Sequence, residues 1–264
     1  MSTELTIVIP TWNNPEMLKR CLESLCFNTK YSFNIVLVDN GGDGVVKRTI
    51  KSESKGLISV IEPNENLGWM RAHNKALESC DTQYYCMLND DVLFIPGQQD
   101  FWGRLIRHLE QGAGAVGPSS NFVSGCQNIH LTNIPDVCDT TLLIGFCMVL
   151  KTEVLKDVGG LDADLPGGDD FDLSIRLRKA GYPLRIDRRA YLHHIGQQTG
   201  TRLFGEGWDS DWSQEVTNNA IIEKHGALNW EKCLRAYWTY PEGGEEESLV
   251  GSENGTTLLE EVLV

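Results

Sequence analysis

Leu5-Thr6-Ile7-Val8-Ile9-Pro10-Thr11-Trp12-Asn13-Asn14-Pro15 is the stretch from which the fold is read. A compact, mostly apolar β-type run ends at Pro10, and a polar loop follows. Met17, Leu18, Cys21, Leu22 and Leu25 then recur at the spacing of one helix face. Asn14 is placed to cap that helix and Pro15 to occupy its first turn. The unit repeats downstream. Phe33 to Val38 is a second strand, stopping at Asp39-Asn40-Gly41-Gly42, and Leu57 to Ile61 is a third, followed by a helix from about Gly68 to Ser79. Tyr84 to Leu88 is a fourth, ending on Asn89-Asp90-Asp91. Strands apolar on both faces and separated by helices predict an α/β fold, a mainly parallel sheet covered on both sides. In such sheets ligands gather at the carboxyl ends of the strands.

The second half is less regular. Thr141 to Lys151 reads as a long β-type run containing Gly145, Val154 to Val158 as a short helix, and Asp169 to Ala180 as a longer amphipathic one. Leu184 to Asp187 and Ala190 to Leu192 read as two short strands. Residues 195–210, Gly-rich with Phe204 and Trp208, read as a mobile loop, and a last helix runs from about Trp212 to His225. No repeat or linker divides the chain, so one domain is expected over residues 1–240, in a regular half of about 1–112 and a less regular half of about 113–240.

Composition narrows the function. With 264 residues, 41% apolar and 23% charged, the chain is ordinary globular material. A net charge of −14 argues against a nucleic-acid binder, which needs a basic stripe. An anionic substrate stays open, because a metal ion and a few local cations reverse the potential inside one cleft. Residues 241–264 hold seven Glu and no Lys or Arg. They read as an acidic tail, either solvated or a docking segment for a partner or second subunit; the oligomeric state is not read. Among eight cysteines none forms a C-x-x-C pair, and Cys86 and Cys147 sit in apolar runs as buried thiols. Neither a leader nor an apolar run of about 18 residues is visible, so a cytoplasmic location is expected, with peripheral membrane contact open for a lipid-linked substrate.

The chemistry lies at the strand ends. Asp90 and Asp91 repel one another unless a divalent metal sits between them and a phosphate, and hard oxygen ligands suit Mn²⁺ or Mg²⁺. The bland alternative is a polar turn. No G-x-G-x-x-G follows the first strand and no P-loop is present, which removes dinucleotide and P-loop chemistry. The Pro10-to-Asn14 loop is instead suited to cradle a base and ribose. Asp169 and Asp170 stand at a helix start, as caps or as an acid–base pair. Asp172 and Arg176, four apart, read as a helix-surface pair. Arg71 and Arg202 either assist a diphosphate or are solvated. Trp69, Trp208 and Trp212 either stack on a sugar or pack in the core.

Ile7 to Asn14 with Leu18, Cys21, Leu22 and Leu25 resembles the start of the family 2 glycosyltransferases, which have the GT-A fold. Val36-Leu37-Val38-Asp39-Asn40 is similar to their second strand, whose Asp contacts a pyrimidine base. Asn64-Glu65-Asn66-Leu67-Gly68-Trp69 with Ala72, Asn74 and Ala76 resembles their segment beside the nucleotide. Leu88-Asn89-Asp90-Asp91 stands where their D-x-D motif binds metal, with Asn for the first Asp, as in rhamnosyltransferase-like members. Gly145-Phe146-Cys147-Met148, Val158 to Asp162 and Gly168-Asp169-Asp170-Phe171-Asp172-Leu173 with Arg176, Arg178, Gly181 and Tyr182 resemble the acceptor-side block. His193-His194-Ile195-Gly196 is similar to the later His that completes the metal shell.

The resemblance covers about residues 4–226 and implies a Rossmann-like mixed sheet and a metal-dependent inverting glycosyltransferase. Asp170 would be the catalytic base, with Asp169 as second choice. Asp91 and His194 would hold Mn²⁺ or Mg²⁺, with His193 the second choice for the histidine. Pro10, Thr11, Asn13, Asp39, Asn66, Gly68, Asn74, Asn89 and Asp90 would bind the nucleotide-sugar donor, with UDP or dTDP favoured. Gly145 and Trp208 would lie on the acceptor side, toward a glycan, lipid-linked saccharide or protein. A non-catalytic sugar-nucleotide-binding relic and a sugar-1-phosphate nucleotidyltransferase are the alternatives. The second predicts a Gly-rich L-x-G-G-x-G-T-R entry after the first strand, which is absent.

Overall fold

The computed structural model describes residues 4–42, 44, 46, 50, 58–196 and 211–238. Among these, strands β1 (Leu5–Thr11), β2 (Phe33–Asp39), β3 (Ile58–Ile61), β4 (Tyr84–Leu88), β5 (Val92–Phe94), β6 (Ala115–Ser120), β7 (Val137–Thr140), β8 (Cys147–Lys151) and β9 (Leu184–His194) form one sheet. The helices are α1 (Pro15–Asn28), α2 (Gly68–Glu78), α3 (Phe101–Glu110), α4 (Thr152–Asp157), α5 (Asp169–Lys179), α6 (Asp211–His225) and α7 (Ala227–Tyr237). Strand order is β3-β2-β1-β4-β8-β6-β9-β5, with β7 also paired to β9. The first four strands pair in parallel, and antiparallel pairings enter at β8. The sheet is therefore mixed, as the α/β reading requires.

Side-chain alternation along the strands sorts the helices onto two faces. Leu5, Ile7 and Ile9 of β1 join α1 and α3 in one core, while Val8 joins α2, α4 and α5 in the other. A third core holds α5 against α6 and α7 through Leu142, Ile175, Ile221, Trp230 and Cys233. Pro10 would break a ladder in a strand bonded on both sides. It is tolerated because β1 pairs with β4 only from Leu5 to Val8. Beyond Val8 the two strands part, and a crevice opens at their carboxyl ends.

Several elements differ from the sequence reading. Asn14 stands at the cap position of α1 with no side-chain cap bond; its carbonyl accepts the Leu18 N–H at 3.0 Å. Only Cys147–Lys151 of the 141–151 run is strand, because Gly145 is drawn into a side-chain contact described below. The two short strands after Leu184 are one strand, β9, and residues 188–190 bulge where β6 shifts register at Pro118 and Ser119. Ser119 Oγ bridges the bulge to the carbonyls of Arg188 and Ala190. The helix ending at His225 is followed by α7, and β5, α3, β6 and β7 had no counterpart in the sequence reading. Residues 197–210 and the acidic segment 241–264 lie outside the described residues.

Asp172 is not on the helix surface. It is fully buried and meets Arg176 at 2.6 Å, Lys224 at 2.6 Å and His225 at 2.7 Å, joining α5 to α6. Arg176 also donates to the carbonyls of Val158 and Gly160. Burial pushes the Asp172 carboxyl up, but bonds from Arg176, Lys224 and His225 outweigh it and leave its pKa below the usual value. None of the eight cysteines forms a disulfide, and Cys86 and Cys147 are buried. No described helix is long and apolar enough to cross a membrane.

Asp172→Ala is expected to lower the unfolding free energy by about 3–5 kcal/mol, because it strands a buried guanidinium. A solvated i,i+4 pair would cost only about 0.5 kcal/mol, so urea denaturation separates the two readings.

Candidate active site

The crevice is a cleft of about 440 Å³. One wall is Asn89, Asp90 and Asp91 at the end of β4 with His194 at the end of β9. The facing wall is Asp169 and Asp170 at the start of α5 with Trp69 and Gly145, and Pro10, Thr11 and Trp12 line the end of β1. Sequence position alone could not show that these residues, up to 184 positions apart (10 to 194), share one space.

The first wall depends on hydrogen bonds that orient each group. Thr11 Oγ1 donates to Asp90 Oδ2 at 2.6 Å, tying β1 to β4 just past the point where their ladder stops. β5 and β9 pair antiparallel with Val92 opposite His194, and the Ile195 N–H bonds the Asp91 carbonyl at 3.0 Å. That register brings His194 to Asp91. Alternation along β9 turns His194 inward and leaves His193 exposed, which separates the first choice from the second.

His194 Nδ1 lies 2.9 Å from the Phe122 carbonyl, which can only accept, so Nδ1 carries a hydrogen. In the neutral ring Nε2 is then a lone pair, and it lies 3.1 Å from Asp91 Oδ1. Asp91 Oδ1 is buried without a hydrogen-bond donor. Only a proton on Nε2 or a cation between the two satisfies both atoms. The Asn89 amide nitrogen approaches Nε2 at 3.4 Å, a weak contact. A carboxylate and an imidazole held this way fit a divalent ion. No group of three or more ligating side chains occurs among the described residues, so the protein would supply two ligands and leave the other positions to water and phosphate oxygens.

The second wall is a carboxylate pair of unequal character. Gly145 N–H donates to Asp170 Oδ1 at 2.8 Å, and a Cβ on Gly145 would come within 2.6 Å of that oxygen. Only glycine permits this approach. Both carboxyls border the cleft but are otherwise enclosed by protein. Loss of hydration, then the Asp169 charge, raises the Asp170 pKa well above the ordinary value, against the opposing Gly145 bond. Loss of hydration also raises Asp169, which the Trp69 indole N–H partly offsets. Trp69 is itself supported edge-on by His73 at 4.2 Å, whose burial lowers its pKa to about 3 and keeps it neutral.

Residues 6–134 match the model of the family described as "Glycosyl transferase family 2". Over that segment, just under half of the chain, the protein is similar to glycosyltransferase family 2. A "Pre-mycofactocin glycosyltransferase" of Mycobacterium tuberculosis is 25% identical over 207 residues, 72% of this chain, and the match spans 42% of that relative's length. A mannosyltransferase from Pyrobaculum calidifontis, solved with GDP-Man and Mn²⁺, superposes with TM-score 0.61 and 18% identity, over 99% of this chain and 79% of its own. GalNAc-T7, solved with UDP, GalNAc and Mn²⁺, gives 0.65 and 16%, over 83% and 48%. These likenesses place the sheet and its helices in the GT-A fold.

Of the donor, metal, base and acceptor candidates read from sequence, eleven line the cleft: Pro10, Thr11, Asn66, Gly68, Asn89, Asp90, Asp91, Gly145, Asp169, Asp170 and His194. Asp39 and Asn13 stand beside it at Gly41: the Gly41 and Gly42 N–H groups bond Asp39 Oδ1 at 3.1 and 3.3 Å, and the Asn13 side chain lies against Gly41. Asn74 does not face the donor space. Its amide is held at both ends by Leu161, at 2.7 and 2.8 Å, and braces α2 against the loop before α5. Arg71 is exposed away from the cleft, Trp69 is a cleft residue, and Trp208, Arg202 and the Trp212 side chain lie outside the described residues.

Sequence reasoning gave no role to Asn40, whose amide accepts the Leu67 N–H and donates to the Gly68 carbonyl, tying the end of β2 to the start of α2 beside the cleft. Its signal was its place directly after Asp39. It also passed over Phe146, stacked on His194 at 5.4 Å, and the Asn121-Phe122 loop, which carries no motif.

Titration of the Asp170 carboxyl, followed by ¹³C NMR, is expected to centre above the ordinary carboxylate range. Asp169→Asn removes the neighbouring charge, so the midpoint should move down while staying above the ordinary carboxylate value, because desolvation is the larger cause. A midpoint that does not move would contradict the coupling of the two groups.

Proposed function

We propose that this chain transfers a sugar from a nucleoside diphosphate sugar to an acceptor hydroxyl with inversion of configuration. The observation that carries this reading is the pairing of walls in one cleft: Asp91 facing His194 on one side, Asp170 with a raised pKa on the other. The family 2 match over residues 6–134 and the two fold relatives, solved with GDP-Man or UDP and with Mn²⁺, support it.

Asp91 and His194 would hold Mn²⁺ or Mg²⁺, and an imidazole among oxygen donors suits a transition ion better than Mg²⁺. When bound, the ion would offset charge on the departing diphosphate. The residues of the chain would do the remaining work. Asp39, Asn13 and the Asn40-braced loop would receive the base and ribose, and the pyrimidine-type contact at Asp39 favours UDP or dTDP. Asp90, held by Thr11, would meet the ribose or sugar. Trp69 and Trp12 would wall the sugar from water. With Oδ1 fixed by Gly145, Asp170 would take the acceptor proton on Oδ2, on the face opposite the leaving group. Its raised pKa suits that task, since a base titrating nearer neutrality accepts a proton more readily. The acceptor would be a hydroxyl of a glycan, a lipid-linked saccharide or a protein.

A thermal-shift screen of nucleoside diphosphates and their sugars, with and without Mn²⁺, checks the reading. At a hundredfold excess over Kd the stabilisation is about 2.7 kcal/mol, a shift of roughly 5–10 °C for a chain of this size. The shift should disappear with EDTA. Asp170→Asn should keep the shift and lose transfer by about 10²–10⁴-fold. Absence of stabilisation by every nucleotide sinks the enzyme reading. An Asp170→Asn protein with full transfer activity sinks the base assignment.

A further inference from the structure

β6 ends at Ser120, whose register partner on β9 is Leu192. Two residues further along β9 stands His194. Main-chain groups of adjacent strand residues point to opposite sides. The Ile195 N–H is bonded toward Asp91 and β5, so the N–H and C=O of His194 face the other way, to where β6 has already stopped. Asn121 fills that gap with its side chain. Its Oδ1 accepts the His194 N–H at 2.8 Å, and its Nδ2 donates to the His194 carbonyl at 3.0 Å. A side-chain amide thus replaces the next peptide of the ladder. Its orientation is fixed, because a flipped amide would set donor against donor and acceptor against acceptor.

The next residue continues the grip. The Phe122 carbonyl takes the Nδ1 hydrogen of the imidazole, and the Phe122 ring lies edge-on to it at 5.7 Å. That ring also occupies the space over Gly196, where a Cβ would come within 2.2 Å of it. Gly196 is therefore needed for Phe122 to sit beside the imidazole. Two consecutive residues of one loop hold the main chain of His194, its ring nitrogen and its ring edge. A tether serving only to close the end of β6 has no need of the ring contacts.

We propose, resting on the metal role given above to His194, that Asn121 is a positioning residue for the metal ligand. It sets the His194 main chain at the height where the Phe122 carbonyl selects the Nδ1–H tautomer, so that the Nε2 lone pair is directed at Asp91. Outer partners of ligating histidines typically account for 10–100-fold in metal affinity.

The test compares wild type, Asn121→Ala, the isosteric Asn121→Asp and His194→Ala, each first checked for cooperative unfolding in urea. Mn²⁺ is titrated alone and followed by loss of the free-ion electron paramagnetic resonance signal. In parallel, ¹⁵N-histidine NMR without metal reads the His194 tautomer. Both Asn121 variants should bind Mn²⁺ about 10–100-fold more weakly and lose the single Nδ1–H tautomer, effects that a merely structural tether would not produce. His194→Ala should abolish the site. Asn121 variants that bind within twofold of wild type and keep the tautomer overturn the positioning role while leaving the metal reading intact. If His194→Ala itself binds Mn²⁺ as wild type does, the metal reading has failed, and the positioning role with it.

Discussion

Two acceptor atoms held 3.1 Å apart, His194 Nε2 and Asp91 Oδ1, are the constraint on which the site turns. Without a proton on Nε2 or a cation between them they repel. The chain forces them together through the antiparallel β5–β9 pairing, the Ile195-to-Asp91 main-chain bond, and the Phe122 carbonyl that fixes where the imidazole hydrogen lies. β4 belongs to the parallel half of the sheet and β9 to the mixed half, so this contact ties the ends of the two halves together along one wall of the cleft.

The opposite wall follows the same logic with a different outcome. At Asp169 and Asp170 loss of hydration, joined at Asp170 by the Asp169 charge, raises both pKa values against the opposing peptide and indole N–H bonds. In the proposed function the first carboxylate site would receive positive charge and the second would accept a proton. The Asp172 network lies behind the second wall, on the same helix as Asp170. It holds α5 against α6 and so keeps the start of α5 turned toward the cleft.

Much of the fold was legible because the first four strands are apolar on both faces and punctuated by Pro10, Asp39 and the Asn89-Asp90-Asp91 turn. Chain order put Asp91 and Asp170 at two strand-end or helix-start positions, and the cleft brings them together. What could not be read came from contacts distant in sequence. Asp172 looked like a surface pair because its partners Lys224 and His225 stand more than fifty residues away. Asn74 looked like a donor contact because only the fold reveals that Leu161 takes both ends of its amide. The stretch 92–140 has short strands of three to six residues, too brief for periodicity to mark, and so the Asn121-Phe122 grip on His194 gave no signal.

The claim that the Asp91–His194 contact exists to hold a cation is tested most directly by diffraction. Crystals grown with Mn²⁺ and UDP would be measured at a wavelength where manganese scatters anomalously. A single peak between Asp91 and His194 Nε2, with diphosphate oxygens completing the shell and Asp170 across the cleft, is the predicted result. Nucleotide in the cleft with Asp91 and His194 still in direct contact, and manganese bound elsewhere or not at all, would contradict it.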